Sequence, residues 1–245
     1  MTKTNQTTSG KAHVRVSDLG RMDYQAAWTL QKTLQQALID VKKQPETSPP
    51  ASQHLLFVEH PHVYTLGKSG KREHLLISED LLKQRRATFV HIDRGGDITY
   101  HGPGQIVGYV ILDLDQHFTD IGKYLRGLED IIIRTLADFG IAAGREPGMT
   151  GVWVKGSKIC AMGIKCSRWV TMHGFALNLT TDLSYFNHIV PCGLAGKPVC
   201  SMKQLLGEAQ TPDAQAVKQR IEHHFKRFFD VVTIPGPVQK LTEKP

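Results

Sequence analysis

Arg94-Gly95-Gly96-Asp97-Ile98-Thr99-Tyr100-His101-Gly102-Pro103-Gly104-Gln105 is the stretch on which the reading of this chain turns. Four glycines, a proline, an arginine, a histidine and a tyrosine crowd into it, which is unusual for a plain connection. Phe89-Val90-His91-Ile92 runs into it as a strand, and residues 106–114 leave it as another, so the loop is expected to be held between two strands. Gly95-Gly96 has no Cβ in the way and has positive φ at little cost, so the backbone can approach a ligand closely. Arg94 and His101 bracket the segment with donors suited to a carboxyl or thioester oxygen. Taken alone, the same residues also fit a hairpin whose glycines serve only the turn.

Working outward, Tyr24, Ala27, Trp28, Gln31, Leu34, Leu38 and Val41 recur at i, i+3, i+4 and i+7, predicting an amphipathic helix over residues 23–43. Residues 44–53, with three prolines and two serines, read as an exposed loop. Leu55-Leu56-Phe57-Val58 is a short buried strand, and Val63-Tyr64-Thr65-Leu66 is expected to pair with the same sheet after the His-Pro turn. Thr119 or Asp120 caps a second helix that Gly140 ends, with Ile121, Leu125, Leu128, Ile132 and Leu136 on its apolar face. Residues 151–165 form a hairpin about Gly156-Ser157, 169–179 a further strand, and 217–229 a C-terminal helix. No repeat or long linker divides the chain. The expectation is an α/β (α+β) fold: one domain over residues 13–234 with a mixed β-sheet flanked by helices. Residues 1–12 read as disordered and 235–245 as a loose tail.

No apolar run approaches the roughly 20 residues that span a bilayer. Residues 1–10 lack an apolar signal core, so a soluble, cytoplasmic protein is expected, with monomer as the default. The net charge of +7 is scattered, without a basic block, which argues against nucleic acid and suits attraction of an acidic partner. The cysteines are Cys160, Cys166, Cys192 and Cys200, with no CxxC and no HExxH, so zinc patterns are absent. Cys160 and Cys166 lie in an apolar stretch and read as fillers. Cys192, between Pro191 and Gly193, is presented by a tight loop instead. Only a few per cent of an ordinary thiol is ionised at neutral pH, and a nearby cation raises that fraction. Lys158 on its own reads as a solvated residue after a turn.

Together with Lys158-Ile159-Cys160-Ala161-Met162-Gly163 and Ile189-Val190-Pro191-Cys192-Gly193-Leu194-Ala195-Gly196, the opening stretch resembles the lipoyl(octanoyl) transferase family. Glu59-His60-Pro61, Val63-Tyr64-Thr65-Leu66-Gly67 and His173-Gly174-Phe175-Ala176-Leu177-Asn178 extend the resemblance from about residue 14 to about residue 207. It implies the fold of biotin and lipoate protein ligases. It implies transfer of an octanoyl group from octanoyl-acyl carrier protein to a lysine of lipoyl domains, those of 2-oxoacid dehydrogenases and of the glycine cleavage H protein. It implies Cys192 as nucleophile and Lys158 as acid and base, without ATP, metal or other cofactor. By the same resemblance Arg94, Gly95, Gly96, Asp97, Ile98, Thr99, Tyr100 and His101 line the acyl pocket. Ala161, Met162, Gly163 and Gly174, Phe175, Ala176 supply its wall and backbone donors. His101 is expected to position rather than to act as base, and His173 either to assist proton transfer or to be structural. An ATP-dependent lipoate or biotin ligase is the main competitor. It would use a lysine and no cysteine, with a different glycine run. A non-catalytic carrier-protein or lipoyl-domain binding module would keep the basic surface and the pocket but not need both Cys192 and Lys158.

Overall fold

The computed structural model describes residues 11–190 and 197–236. Two sheets organise them. The larger is mixed and eight-stranded, built from β1 (His13–Arg21), β2 (Gln53–Glu59), β6 (Gln105–Ile111), β7 (Gly144–Glu146), β8 (Met149–Val154), β9 (Ser157–Ser167), β10 (Val170–Asn178) and β11 (Val232–Pro235). Its order is β11-β1-β2-β6-β10-β9-β8-β7. The smaller has three strands, β3 (Val63–Leu66), β4 (Thr88–His91) and β5 (Ile98–His101), in the order β4-β3-β5. The helices are α1 (Tyr24–Lys43), α2 (Glu79–Gln84), α3 (Ile121–Asp138), α4 (Met202–Leu206) and α5 (Ala214–Phe229).

The two-residue period of the strands divides the large sheet's side chains between two cores. Leu55, Phe57 and Val110 pack with Leu128, Ile132, Ile221 and Phe225 of α3 and α5. Leu56, Val58, Val107 and Ile111 pack with Ala27, Leu38 and Ile39 of α1. Each such Leu, Ile, Val or Phe side chain contributes about 1.5–3 kcal/mol on burial. Helices therefore cover both faces, as the mixed-sheet reading requires. Asp23 caps α1 by accepting from Gln25 N and Ala26 N, and Asp120 caps α3 by accepting from Lys123 N. Two glutamines interrupt the apolar face of α1. Gln35 Nε2 donates to Val170 O, and Gln31 Oε1 accepts from His173 N.

Four local readings are corrected. Val63–Leu66 does not join the large sheet. It pairs parallel with β4 and antiparallel with β5, giving a second sheet with its own core of Tyr64, Leu66, Ile98 and Tyr100. The glycine-rich stretch is not a loop throughout, because Ile98–His101 within it is β5. Its flanking strands β4 and β6 consequently belong to different sheets. The segment His13–Arg21, not read as a strand, is β1, held by parallel pairing to both β2 and the distant β11. Pro235, placed in the loose tail by the sequence reading, is the last residue of β11 and pairs with Val16. The readings made for residues 1–10 and 237–245 lie outside the described residues.

Burial of His54, His60 and His101 pushes their pKa values down to about 4, 4 and 3. An unfolded histidine titrates near 6.5, so below that pH the unfolded state binds protons that the folded state refuses. The stabilisation these neutral rings provide is complete above pH about 6.5 and declines as pH falls towards 4. Thermal melts are expected to show a falling Tm from pH 7 to pH 5. A flat Tm over that range would contradict buried, neutral rings.

Candidate active site

A cavity of about 400 Å³ lies against the large sheet and the glycine-rich stretch. Ala161 and Gly163 of β9, Gly174 and Ala176 of β10 and Val107 of β6 form its sheet wall. Residues 94–99 form the opposite side, and they approach closely because glycines leave room. Gly95 N donates to Ile164 O at 2.9 Å, which ties the stretch to β9. A Cβ on Gly163 would sit 2.8 Å from Arg94 Cδ, and one on Gly67 only 2.3 Å from Gly96 O. Gly104 N donates to Glu59 Oε2 at 2.9 Å, so the Glu59-His60-Pro61 motif holds the far end of the same stretch.

A chain of hydrogen bonds links the glycine-rich stretch to the strand that carries Lys158. Arg94 Nη2 donates to Thr65 O at 2.8 Å and to Thr65 Oγ1 at 3.0 Å. Thr65 Oγ1 lies 3.5 Å from His101 Nε2. His101 Nδ1 is 2.8 Å from Gln105 Oε1, an oxygen that only accepts, so Nδ1 carries the proton. With its pKa pushed down by burial, His101 is neutral, and its Nε2 is an acceptor rather than the donor expected from sequence. Gln105 Nε2 donates to Asn178 Oδ1 at 2.9 Å, and Asn178 Nδ2 to Cys200 O at 3.1 Å. Cys200 N in turn donates to Lys158 O at 3.0 Å, and Lys158 N to Pro198 O at 2.9 Å. Lys158 lines the cavity from near the start of β9, with Nζ 4.7 Å from the centre of the Trp153 ring.

Of the residues singled out from sequence, Arg94, Gly95, Gly96, Asp97, Ile98, Thr99 and His101 meet Lys158 around this one cavity. Ala161, Met162, Gly163, Gly174, Phe175 and Ala176 join them. Tyr100 does not. It is fully buried, its ring packs against Tyr64 and Tyr185, and its hydroxyl bonds His62 Nδ1 at 2.7 Å. The alternation along β5 turns it into the small sheet's core. Asp97 lines the cavity, but its carboxylate is engaged by His74 Nδ1 at 2.6 Å and Ile98 N at 2.7 Å. Cys192 lies outside the described residues.

Among the described cysteines, burial raises the thiol pKa of Cys160 and pushes that of Cys200 up to about 11, so neither is poised as a thiolate. His173 is buried at left-handed φ 61°, with Nε2 3.0 Å from Asp93 Oδ1. Asp93 also takes Lys165 Nζ at 2.7 Å and Trp28 Nε1 at 3.0 Å. Sequence reasoning missed Gln105 and Asn178 as cavity residues, though both stand in the motifs it quoted. It also missed Tyr24, which looked like an ordinary core position of α1, and residues 148–150, which carried no signal. Among the described residues no group of three or more His, Cys, Asp or Glu is placed to hold a metal ion. No described helix is long and apolar enough to cross a membrane.

Comparison with known proteins gives the family and the fold. The family described as "Lipoyl protein ligase A/B catalytic domain" matches residues 23–226. The chain is 56% identical over 229 residues to an octanoyltransferase of Cytophaga hutchinsonii, covering 89% of this chain and 93% of that one. A crystal structure of lipoate-protein ligase A bound with ATP superposes with a TM-score of 0.69, covering 95% of this chain and 93% of that one. The biotin protein ligase of Aquifex aeolicus, in complex with biotin and ATP, gives 0.51, covering 88% and 72%. At 14% and 12% identity, these two likenesses are of fold alone. The chain belongs to the lipoyl protein ligase A/B catalytic domain family and groups with its octanoyltransferases.

Proposed function

We propose that this chain transfers an octanoyl group from octanoyl-acyl carrier protein to a lysine of lipoyl domains, through an acyl-Cys192 thioester with Lys158 as acid and base. One observation carries the reading. The glycine-rich stretch and Lys158 converge on a single cavity with a largely apolar sheet wall, in a chain that groups with octanoyltransferases. In the first step the Cys192 thiolate attacks the donor's thioester carbonyl. The carrier's carbon–sulfur bond breaks, and Lys158 gives its proton to the departing thiolate. In the second step the acceptor lysine's ammonium gives one proton to the now neutral Lys158, the freed amine attacks the acyl-Cys192 carbonyl, the Cys192 thiolate leaves, and the second proton of the nitrogen passes to solvent. An amine of ordinary pKa near 10.4 is almost wholly protonated at neutral pH, so the second step needs that base. Thioester to thioester is nearly balanced and thioester to amide is downhill, so no ATP is required.

Two further observations support the assignment. The high thiol pKa values of Cys160 and Cys200 leave them poor nucleophiles, and residues 198 and 200 bond along the backbone of Lys158. The acceptors of this reading are the lipoyl domains of 2-oxoacid dehydrogenases and the glycine cleavage H protein, in the cytoplasm. Intact-mass measurement after incubation with octanoyl-carrier protein, without ATP, tests it. One octanoyl adduct is expected, lost in Cys192→Ala and transferable to a lipoyl domain. No adduct, but ATP-dependent modification from free octanoate, would make the protein a ligase.

A further inference from the structure

Glu129, in the middle of α3, has none of its surface exposed. A buried carboxylate is tolerated only when its oxygens are satisfied. Oε2 accepts from Arg126 Nη1 at 2.6 Å and from Arg145 Nε at 2.8 Å. Oε1 accepts from the backbone N–H of Gly151 at 2.9 Å, a bond that reaches from α3 across to β8. Arg145 adds bonds to Arg126 O and Asp130 Oδ1, which tie β7 to the same turn of the helix.

Gly151 is where this clamp meets Lys158. Its φ is +120°, and a Cβ there would lie 2.7 Å from Cys160 O, 3.4 Å from Lys158 Cε and 3.6 Å from Lys158 Cδ. The bare face of Gly151 is thus the surface along which the stem of Lys158 lies. Two residues further along β8, the Trp153 ring faces Lys158 Nζ. Leu125, one turn before Glu129, lines the cavity with Met149 and Thr150.

We infer that Glu129 is a positioning residue for Lys158, acting through the backbone of Gly151. The inference rests on Lys158 being the acid and base of the proposed transfer. Lysine's four-carbon stem is flexible, and its ammonium delivers a proton usefully only when the stem is held. Glu129 holds β8, the strand against which that stem lies. A glutamine at 129 keeps the shape but has one accepting oxygen, so it cannot serve both Gly151 N and Arg145 Nε. The strand then relaxes, and a displacement of about 1 Å at the reacting group lowers turnover by roughly 10²-fold.

The test measures kcat, KM for octanoyl-carrier protein and thermal melting for Glu129→Gln, Gly151→Ala and Lys158→Met side by side. Both Glu129→Gln and Gly151→Ala are expected to lose roughly 10- to 100-fold in kcat, with KM within about twofold of the unsubstituted protein. A merely structural role would lower the melting temperature and leave the kcat of the folded protein intact. If Glu129→Gln does not fold, Arg145→Gln, which removes the Arg145 Nε bond to Glu129 Oε2 from a half-exposed side chain, carries the same readout. Unchanged kcat, or a rise in KM alone, in the folded variants overturns the inference. If Lys158→Met also keeps its kcat, the acid–base reading beneath it fails. If Lys158→Met is inactive while both other variants turn over normally, only the role of Glu129 is lost.

Discussion

Lys158→Met is expected to lower kcat for octanoyl transfer at pH 7 by about 10²–10⁴-fold, the range that a positioned proton-transfer group supplies. Methionine nearly matches the stem in volume, so the packing over Gly151 and against Trp153 survives while the ammonium is lost. Two separate demands then go unmet: charge stabilisation of the attacking thiolate, and deprotonation of the acceptor amine. They are separable by pH. In the variant, transfer from a preformed acyl-enzyme should climb about tenfold per pH unit towards the amine's own pKa near 10.4, because solvent must do what Lys158 did. Single-turnover transfer measured from pH 6.5 to 9.5 reads this slope. Ordinary turnover in the variant at pH 7 would remove Lys158 from the chemistry.

Gly67→Ala, at a residue that touches no reacting group, is expected to be nearly as damaging. The added Cβ would sit 2.3 Å from Gly96 O, 2.9 Å from Arg94 Nη1 and 3.0 Å from Arg94 O. Two of these three atoms are backbone, so no rotamer change relieves the clash. The glycine-rich stretch must move away from β3, which strains the bonds of Arg94 to Thr65 and of Lys68 N to Arg94 O. Overpacking of this kind costs about 1–3 kcal/mol. A cavity wall displaced by about 1 Å costs roughly 10²-fold in kcat/KM. Gly144→Ala is the control, since nothing lies within 4 Å of a Cβ there and its φ is not in the left-handed region. If both alanines leave melting temperature and kcat/KM alike, close approach of the two backbones is not what Gly67 provides.

The three long helices α1, α3 and α5 were legible because their signals are local, whereas the short α2 and α4 were not read. The spacing that predicted residues 23–43 gave a helix at Tyr24–Lys43, and Asp120 caps α3 as its position before the apolar run suggested. The Gly156-Ser157 turn between β8 and β9 was legible for the same reason. β5 was hidden, since four residues set among glycines show too little alternation to stand out from a loop. β1 was hidden differently, because its partners are a strand forty residues on and one at the other end of the described chain. No window along the sequence contains that pairing. At the site, the described candidate residues gather round one cavity apart from Tyr100, and two details were not legible. Tyr100 is turned into the small sheet's core, and Gln105 fixes the tautomer of His101.

By itself, the sequence determined the three long helices and the strands β2, β3, β4, β6, β8, β9 and β10, which stretches approach closely through glycine, and which family of chemistry the motifs resemble. These follow from backbone preferences and side-chain order, which neighbouring residues settle among themselves. Only the tertiary structure decided that β3 and β5 form a second sheet, that His101 is a neutral acceptor and that Glu129 reaches Gly151 beneath Lys158. Each of these depends on a contact between residues far apart in the chain, made only once both cores are packed and their buried polar atoms must find partners.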